Sequence, residues 1–127
     1  MRQRVPELCF ALVIAAMILS GFGPRYRVLW AAELVLVVLW LPVIVWAHRR
    51  IHFSNVAAVT TTAFLLLHLL GAHYGYNEFP LFADWRAWGW SRNHYDRLVH
   101  LAYGLLIVVP VHEALRHVLA PGDSTRL

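Results

Sequence analysis

In this 127-residue chain the side chains able to do chemistry are few, and their placement is unusual. Glu33, His68 and His100 each interrupt a long apolar run, and His73, Glu78, His94 and Asp96 lie at or just beyond the ends of such runs. Asp96 and His100 are four apart, so on a helix they share one face, with Tyr103 a turn further along. An acid and an imidazole on adjacent turns either hold one metal ion together or leave the acid to orient the ring. His94 supplies another nitrogen donor just outside the run. His68 and His73 are five apart, which turns them about 140° from each other on a regular helix. Both reach one site only if the helix unwinds after Gly71. Glu113 and His117 repeat the four-residue spacing near the chain's end, and together with His48, His52 and His112 they collect at the other membrane face. Solvated side chains at headgroup level account for that second group.

Each of these residues also has a plain structural reading. A histidine within an apolar helix serves as a hydrogen-bond partner to a neighbouring helix, Glu33 can pair with an Arg or a Thr or stay protonated, and Asp96 and Arg97 can cap a helix start. Their number on one side carries the functional reading. Ionisable residues inside membrane spans cost about 2.5–3.5 kcal/mol each on insertion scales, and they mark functional sites by default.

The apolar runs set the architecture. The composition is 60% hydrophobic and only 14% charged, against about 25% charged in soluble domains. The apolar residues come in blocks, as lipid-facing elements require. Four blocks predict an all-α, polytopic membrane protein: a single four-helix transmembrane domain over residues 1–127. The expected spans are approximately 7–23, 27–48, 55–74 and 97–117. An interfacial loop over 75–95 carries Trp85, Trp88 and Trp90, since Trp and Tyr favour the headgroup level. Ser54 or Asn55 suits the N-cap of the third helix, and Pro110 is placed to kink the fourth. Short connections make neighbouring helices antiparallel. Glu33, His68, His73, Asp96 and His100 then fall at one membrane face, with His68 and His100 about 6–8 Å below their helix ends.

Charge gives the orientation. The eleven basic residues are all Arg. Arg2, Arg4, Arg49, Arg50, Arg116 and Arg126 fall on one side, and Arg25, Arg27, Arg86, Arg92 and Arg97 on the other. This small bias puts both termini in the cytoplasm. The first block has no convincing cleavage site, so it reads as a retained helix. No basic stripe with aromatic interleaving lies outside the blocks, so nucleic acid is not an expected partner. The lone Cys9 excludes an intrachain disulfide.

Two runs carry a family resemblance. Leu67-His68-Leu69-Leu70-Gly71-Ala72-His73-Tyr74-Gly75-Tyr76-Asn77-Glu78-Phe79-Pro80 and Arg92-Asn93-His94-Tyr95-Asp96-Arg97-Leu98-Val99-His100 resemble the YjdF-like family of bacterial inner-membrane proteins, closely over residues 64–115 and in layout over the whole chain. The resemblance implies a multi-pass protein of the bacterial inner membrane and implicates His68, His73, Glu78, His94, Asp96, His100 and Glu113. It supplies no reaction. The loop between the two runs is shorter than in the family pattern. Family members continue with further helices and an acidic motif, which the sequence to Leu127 lacks. The expectation is therefore a short form, or a subunit that another chain completes.

Two functions from different classes follow. One is a polar site of histidines and carboxylates at the outer membrane face, holding a divalent metal such as zinc or iron. His68, His73, His94, Asp96 and His100 are its candidate ligands, and Glu33, Glu78 and Glu113 are further polar candidates. If it is an enzyme, metal-assisted hydrolysis of a lipid-linked substrate is the natural class, with Glu78 or Glu33 as base. The other is a non-catalytic structural or assembly subunit of a membrane complex. Beyond the lipid bilayer, the candidate partners are another membrane protein or a second copy of the chain. Four helices leave little room for a transport pathway without oligomerisation.

Overall fold

The computed structural model describes residues 4–81, 87 and 89–119. Those residues form five helical segments: α1 (Arg4–Ser20), α2 (Arg27–Ile51), α3 (Asn55–Tyr74), α4 (Tyr95–Leu106) and α5 (Val108–Leu119). α4 and α5 continue one another across Ile107, one turn before Pro110. A proline has no N–H for the carbonyl four residues back and its ring crowds that carbonyl, so the break falls where that bond would form.

Local sequence sets the ends. Pro6 sits in the first turn of α1, where its missing N–H costs nothing. Gly23, at φ +68, turns the chain toward α2. After α2, His52 takes the left-handed conformation at φ 57 and its N–H donates to the His48 carbonyl, which reverses the chain in three residues. Ser54 then caps α3, its hydroxyl accepting from the Ala57 N–H at 3.1 Å.

Three helical stretches among the described residues are long and apolar enough to cross a membrane: Arg27–Ile51, Asn55–Tyr74 and Tyr95–Leu119. α1 has 17 residues, about 25 Å of rise against a hydrocarbon core of about 30 Å. It begins at Arg4 and ends at Ser20, ahead of the expected 7–23. The outward faces are apolar. α2 buries only Val37, while Leu36, Leu39, Trp40 and Trp46 are exposed. Such a surface suits lipid as solvent.

α3 is the hub. It packs against α1, α2, α4 and α5, and Ala57, Thr62, Leu65, Leu69, Gly71 and Ala72 along it are buried. The central cluster joins Leu65 and Leu69 to Val13 of α1 and Val37 of α2, with Met17, Leu34 and Phe64 against them. α1 and α3 end together: the His73 ring donates through Nδ1 to the Ser20 carbonyl at 2.9 Å, and the Arg25 N–H donates to the His73 carbonyl at 2.9 Å.

At the opposite end Glu113 corrects an expectation. Its position in the sequence suggests a solvated side chain, yet its carboxylate is docked on the start of α3. Oε2 accepts from the Ser54 N–H at 2.9 Å and Oε1 from the Ser54 hydroxyl at 2.5 Å. A carboxylate is favoured there because the first N–H groups of a helix lack internal partners and carry partial positive charge.

This latch yields a measurable coupling. Glu113→Ala should lower the unfolding free energy in mild detergent by about 1–3 kcal/mol, the range for a charged hydrogen-bond partner. Ser54→Ala made on that background should cost far less than in the native chain. Full additivity of the two would show that the latch is not formed.

Candidate functional site

Four helix ends meet at the Tyr76 end of the bundle: the last turns of α1 and α3 and the first turns of α2 and α4. His68 is the centre. It lies in α3 with its side chain 13% exposed, and it touches polar groups on both ring nitrogens. Nε2 stands 3.4 Å from the Glu33 main-chain oxygen and 3.7 Å from the Glu33 carboxylate, which α2 holds 35% exposed. Nδ1 lies 2.6 Å from the Tyr76 hydroxyl. That hydroxyl is also 3.3 Å from the main-chain oxygen of His68.

Tyr76 reaches this place because the chain folds back. Gly75 ends α3 at φ +83, a conformation that favours glycine, and its N–H donates to the Gly71 carbonyl at 2.8 Å. The Tyr76 ring then lies flat on Gly71: a Cβ there would stand 2.5–2.8 Å from three ring atoms. Burial first, then the Glu33 carboxylate, raise the Tyr76 hydroxyl above the ordinary phenol range. It therefore keeps its proton and acts as a donor.

A second layer fixes the fold-back. Tyr95, buried at the start of α4, donates its hydroxyl to the Leu67 carbonyl at 2.7 Å. Its ring stacks on Phe79 at 4.0 Å between centroids and stands 6.2 Å from Tyr76. Asn93 closes the layer by donating to the Phe79 carbonyl at 2.9 Å and accepting from the Tyr95 N–H at 3.0 Å. The Arg92–His100 run thus clamps the Leu67–Pro80 run through main-chain bonds and stacked rings.

The other expected site residues go elsewhere. His73 binds the Ser20 carbonyl, so α3 stays helical past Gly71 and the two histidines address different neighbours. The Asp96 carboxylate does not orient His100: it accepts from the Arg97 N–H at 2.8 Å and pairs with Arg92 at 3.4 Å. His100 is exposed and donates through Nδ1 to the Asp96 main-chain carbonyl at 2.7 Å. Glu78 is held by the Arg25 guanidinium and the Tyr26 hydroxyl, at 2.5 and 3.0 Å, outside the His68 centre. His94 packs edge-on to Trp90; burial, Arg97 and Arg92 lower its pKa against the opposing pull of Asp96. Glu113 lies at the other end, on Ser54. Among the described residues no three His, Cys, Asp or Glu side chains converge to hold a metal ion. Trp85 and Trp88 of the expected interfacial loop lie outside the described residues.

Glu33 and His68 are thus the expected pair that the structure brings together, and Tyr76, which falls within the expected interfacial loop over 75–95, is the third member. The signal for it is the spacing Gly71, Gly75, Tyr76: a gap in the helix face and a turn that returns the ring to it.

A family model described as "Predicted membrane protein (DUF2238)" matches residues 5–122, and YjdF-like proteins are members of that family. No curated protein and no solved structure matches the chain.

The cradle under Tyr76 is directly testable. Gly71→Ala should expel the ring at a cost of about 1–3 kcal/mol, as overpacking does, and nitration of Tyr76, mapped by mass spectrometry, should rise severalfold. Equal nitration in both proteins would show that the ring is not caged.

Proposed function

Because the chain belongs to the predicted membrane protein family DUF2238, we propose that it is a multi-pass protein of the bacterial inner membrane whose Glu33–His68–Tyr76 unit is a proton-accepting centre near the outer face. The observation that carries this reading is the imidazole held between a carboxylate and a phenol inside an apolar bundle. Energetics favour function over structure. An interhelical hydrogen bond in a membrane contributes about 0.6 kcal/mol on average and about 1.7 at most. Placing an ionisable side chain at the centre of a span costs about 2.5–3.5 kcal/mol. Even with a discount for their positions near the helix ends, Glu33 and His68 are poor stabilisers by comparison with two leucines.

In this reading α1 is a fourth span, shorter than the others, and both termini are cytoplasmic. Antiparallel threading then puts Glu33, His68 and Tyr76 toward the outside. Reporter fusions at Leu127 and at Trp88 should report opposite compartments; the same compartment for both would contradict four spans. The centre itself is tested with carbodiimides on the protein in vesicles. Apolar dicyclohexylcarbodiimide should modify Glu33, faster at lower pH because the protonated carboxyl reacts, and Glu33→Gln should abolish the adduct. A water-soluble carbodiimide should leave Glu33 untouched. No adduct at any pH, or equal reaction with both reagents, would refute a proton-accepting centre at membrane depth.

One observation favours the metal reading as a second possibility. His73 and His100 each spend Nδ1–H on a main-chain carbonyl, which leaves Nε2 as a lone-pair donor, the arrangement common in metal-binding histidines. Since no three such side chains converge among the described residues, these histidines, like His94 and Asp96, would supply only part of a site that a partner protein or a second copy completes. Metal should then be substoichiometric in the isolated chain, rise with the partner and fall in an Asp96→Ala/His100→Ala variant. Metal content indifferent to all three would exclude it.

A further inference from the structure

Tyr76 is placed to do more than fill the Gly71 cradle. Both groups near Nε2 of His68 are acceptors, the Glu33 main-chain oxygen at 3.4 Å and its carboxylate at 3.7 Å. A neutral His68 therefore carries its proton on Nε2 and leaves Nδ1 as a lone pair, since the tautomer follows the partners. The Tyr76 hydroxyl, 2.6 Å away, donates to that lone pair. The same hydroxyl has a second acceptor within reach, the His68 main-chain oxygen at 3.3 Å. A carbonyl has two lone pairs, so one remains after the helix bond.

From this geometry we infer that Tyr76 is the positioning residue of the centre: it fixes the neutral tautomer of His68 and exchanges its hydrogen bond when the ring is protonated. In the charged ring Nδ1 becomes a donor and the Tyr76 oxygen accepts from it. The Tyr76 proton turns to the His68 carbonyl, and Glu33 faces the second N–H. Each nitrogen has a partner in both states, and the states differ by one proton taken up at Nδ1 and one rotation of the Tyr76 hydroxyl. A phenylalanine in the same cradle provides neither bond. Among the described residues, the titratable groups facing this ring are Glu33 from α2, Tyr76 from the fold-back and, one layer out, Tyr95 and Tyr103 of α4, the latter 5.3 Å from Phe64. The core face of α1 brings Val13, Ala16 and Met17, which do not titrate.

The inference rests on the proton-accepting reading, and its test has a separate readout. The full chain, labelled with ¹⁵N-histidine and placed in lipid nanodiscs, is followed by NMR, with the His68 signals identified by their loss in His68→Gln. At high pH the native protein should show His68 as the Nε2–H tautomer with a hydrogen-bonded Nδ1, and at low pH both nitrogens protonated. Tyr76→Phe should move the Nδ1 resonance in both states and leave Nε2 nearly in place. A native His68 carrying its neutral proton on Nδ1 overturns the inference without any variant. An Nδ1 resonance indifferent to Tyr76→Phe overturns it as well. Carbodiimide reaction at Glu33 needs no Tyr76 hydroxyl, so in that event the proton-accepting centre stands while the role of Tyr76 falls.

Discussion

Within hydrocarbon every polar group needs a partner from the protein itself, and α3 carries more such groups than its neighbours can ignore. His68 is the most demanding, with two ring nitrogens at membrane depth. Glu33 meets one and Tyr76 the other. Meeting them requires α2 to enter beside the end of α3 and the chain after Tyr74 to turn back onto it. The Gly75 turn, the bare face of Gly71 and the stacked Phe79 and Tyr95 rings follow from that single demand.

The same requirement orders the rest of the helix. Leu67 and His68 offer carbonyl oxygens to Tyr95 and Tyr76, and His73 reaches across to the Ser20 carbonyl of α1. At the far end Glu113 satisfies the first N–H and the hydroxyl of Ser54. α3 is thus held at both ends by side chains from other segments, while its middle packs through Leu65 and Leu69. Apolar packing alone gives a helix in lipid little positional preference; the polar contacts at its two ends set its register against α1, α4 and α5.

Much of this was legible in the residues. Apolar blocks fixed an all-helical, membrane-embedded chain, Ser54 marked the start of α3, and Pro110 marked the break between α4 and α5. Shared depth brought Glu33 and His68 together because depth follows from counting along antiparallel helices. Facing does not follow from counting, and there the reading failed. Asp96 and His100 share a helix face, but that face is turned outward, and the main-chain carbonyl of Asp96 binds the ring in place of its carboxylate. Glu78 pairs with Arg25, fifty-three positions earlier, through a chain reversal no local pattern encodes. Glu113 reads as solvated in the sequence because its partner, Ser54, lies fifty-nine positions earlier, and no local pattern encodes that pairing.

The Tyr76 end of the bundle depends on Glu33 and His68 acting as one unit. A double-mutant cycle reads that directly: unfolding free energies of the native protein, Glu33→Gln, His68→Gln and the double variant, measured in bicelles. Coupling on the order of 1 kcal/mol is predicted, within the range for interacting polar pairs in membranes. Strictly additive effects of the two substitutions would mean that the carboxylate and the imidazole do not sense each other, and would contradict the account.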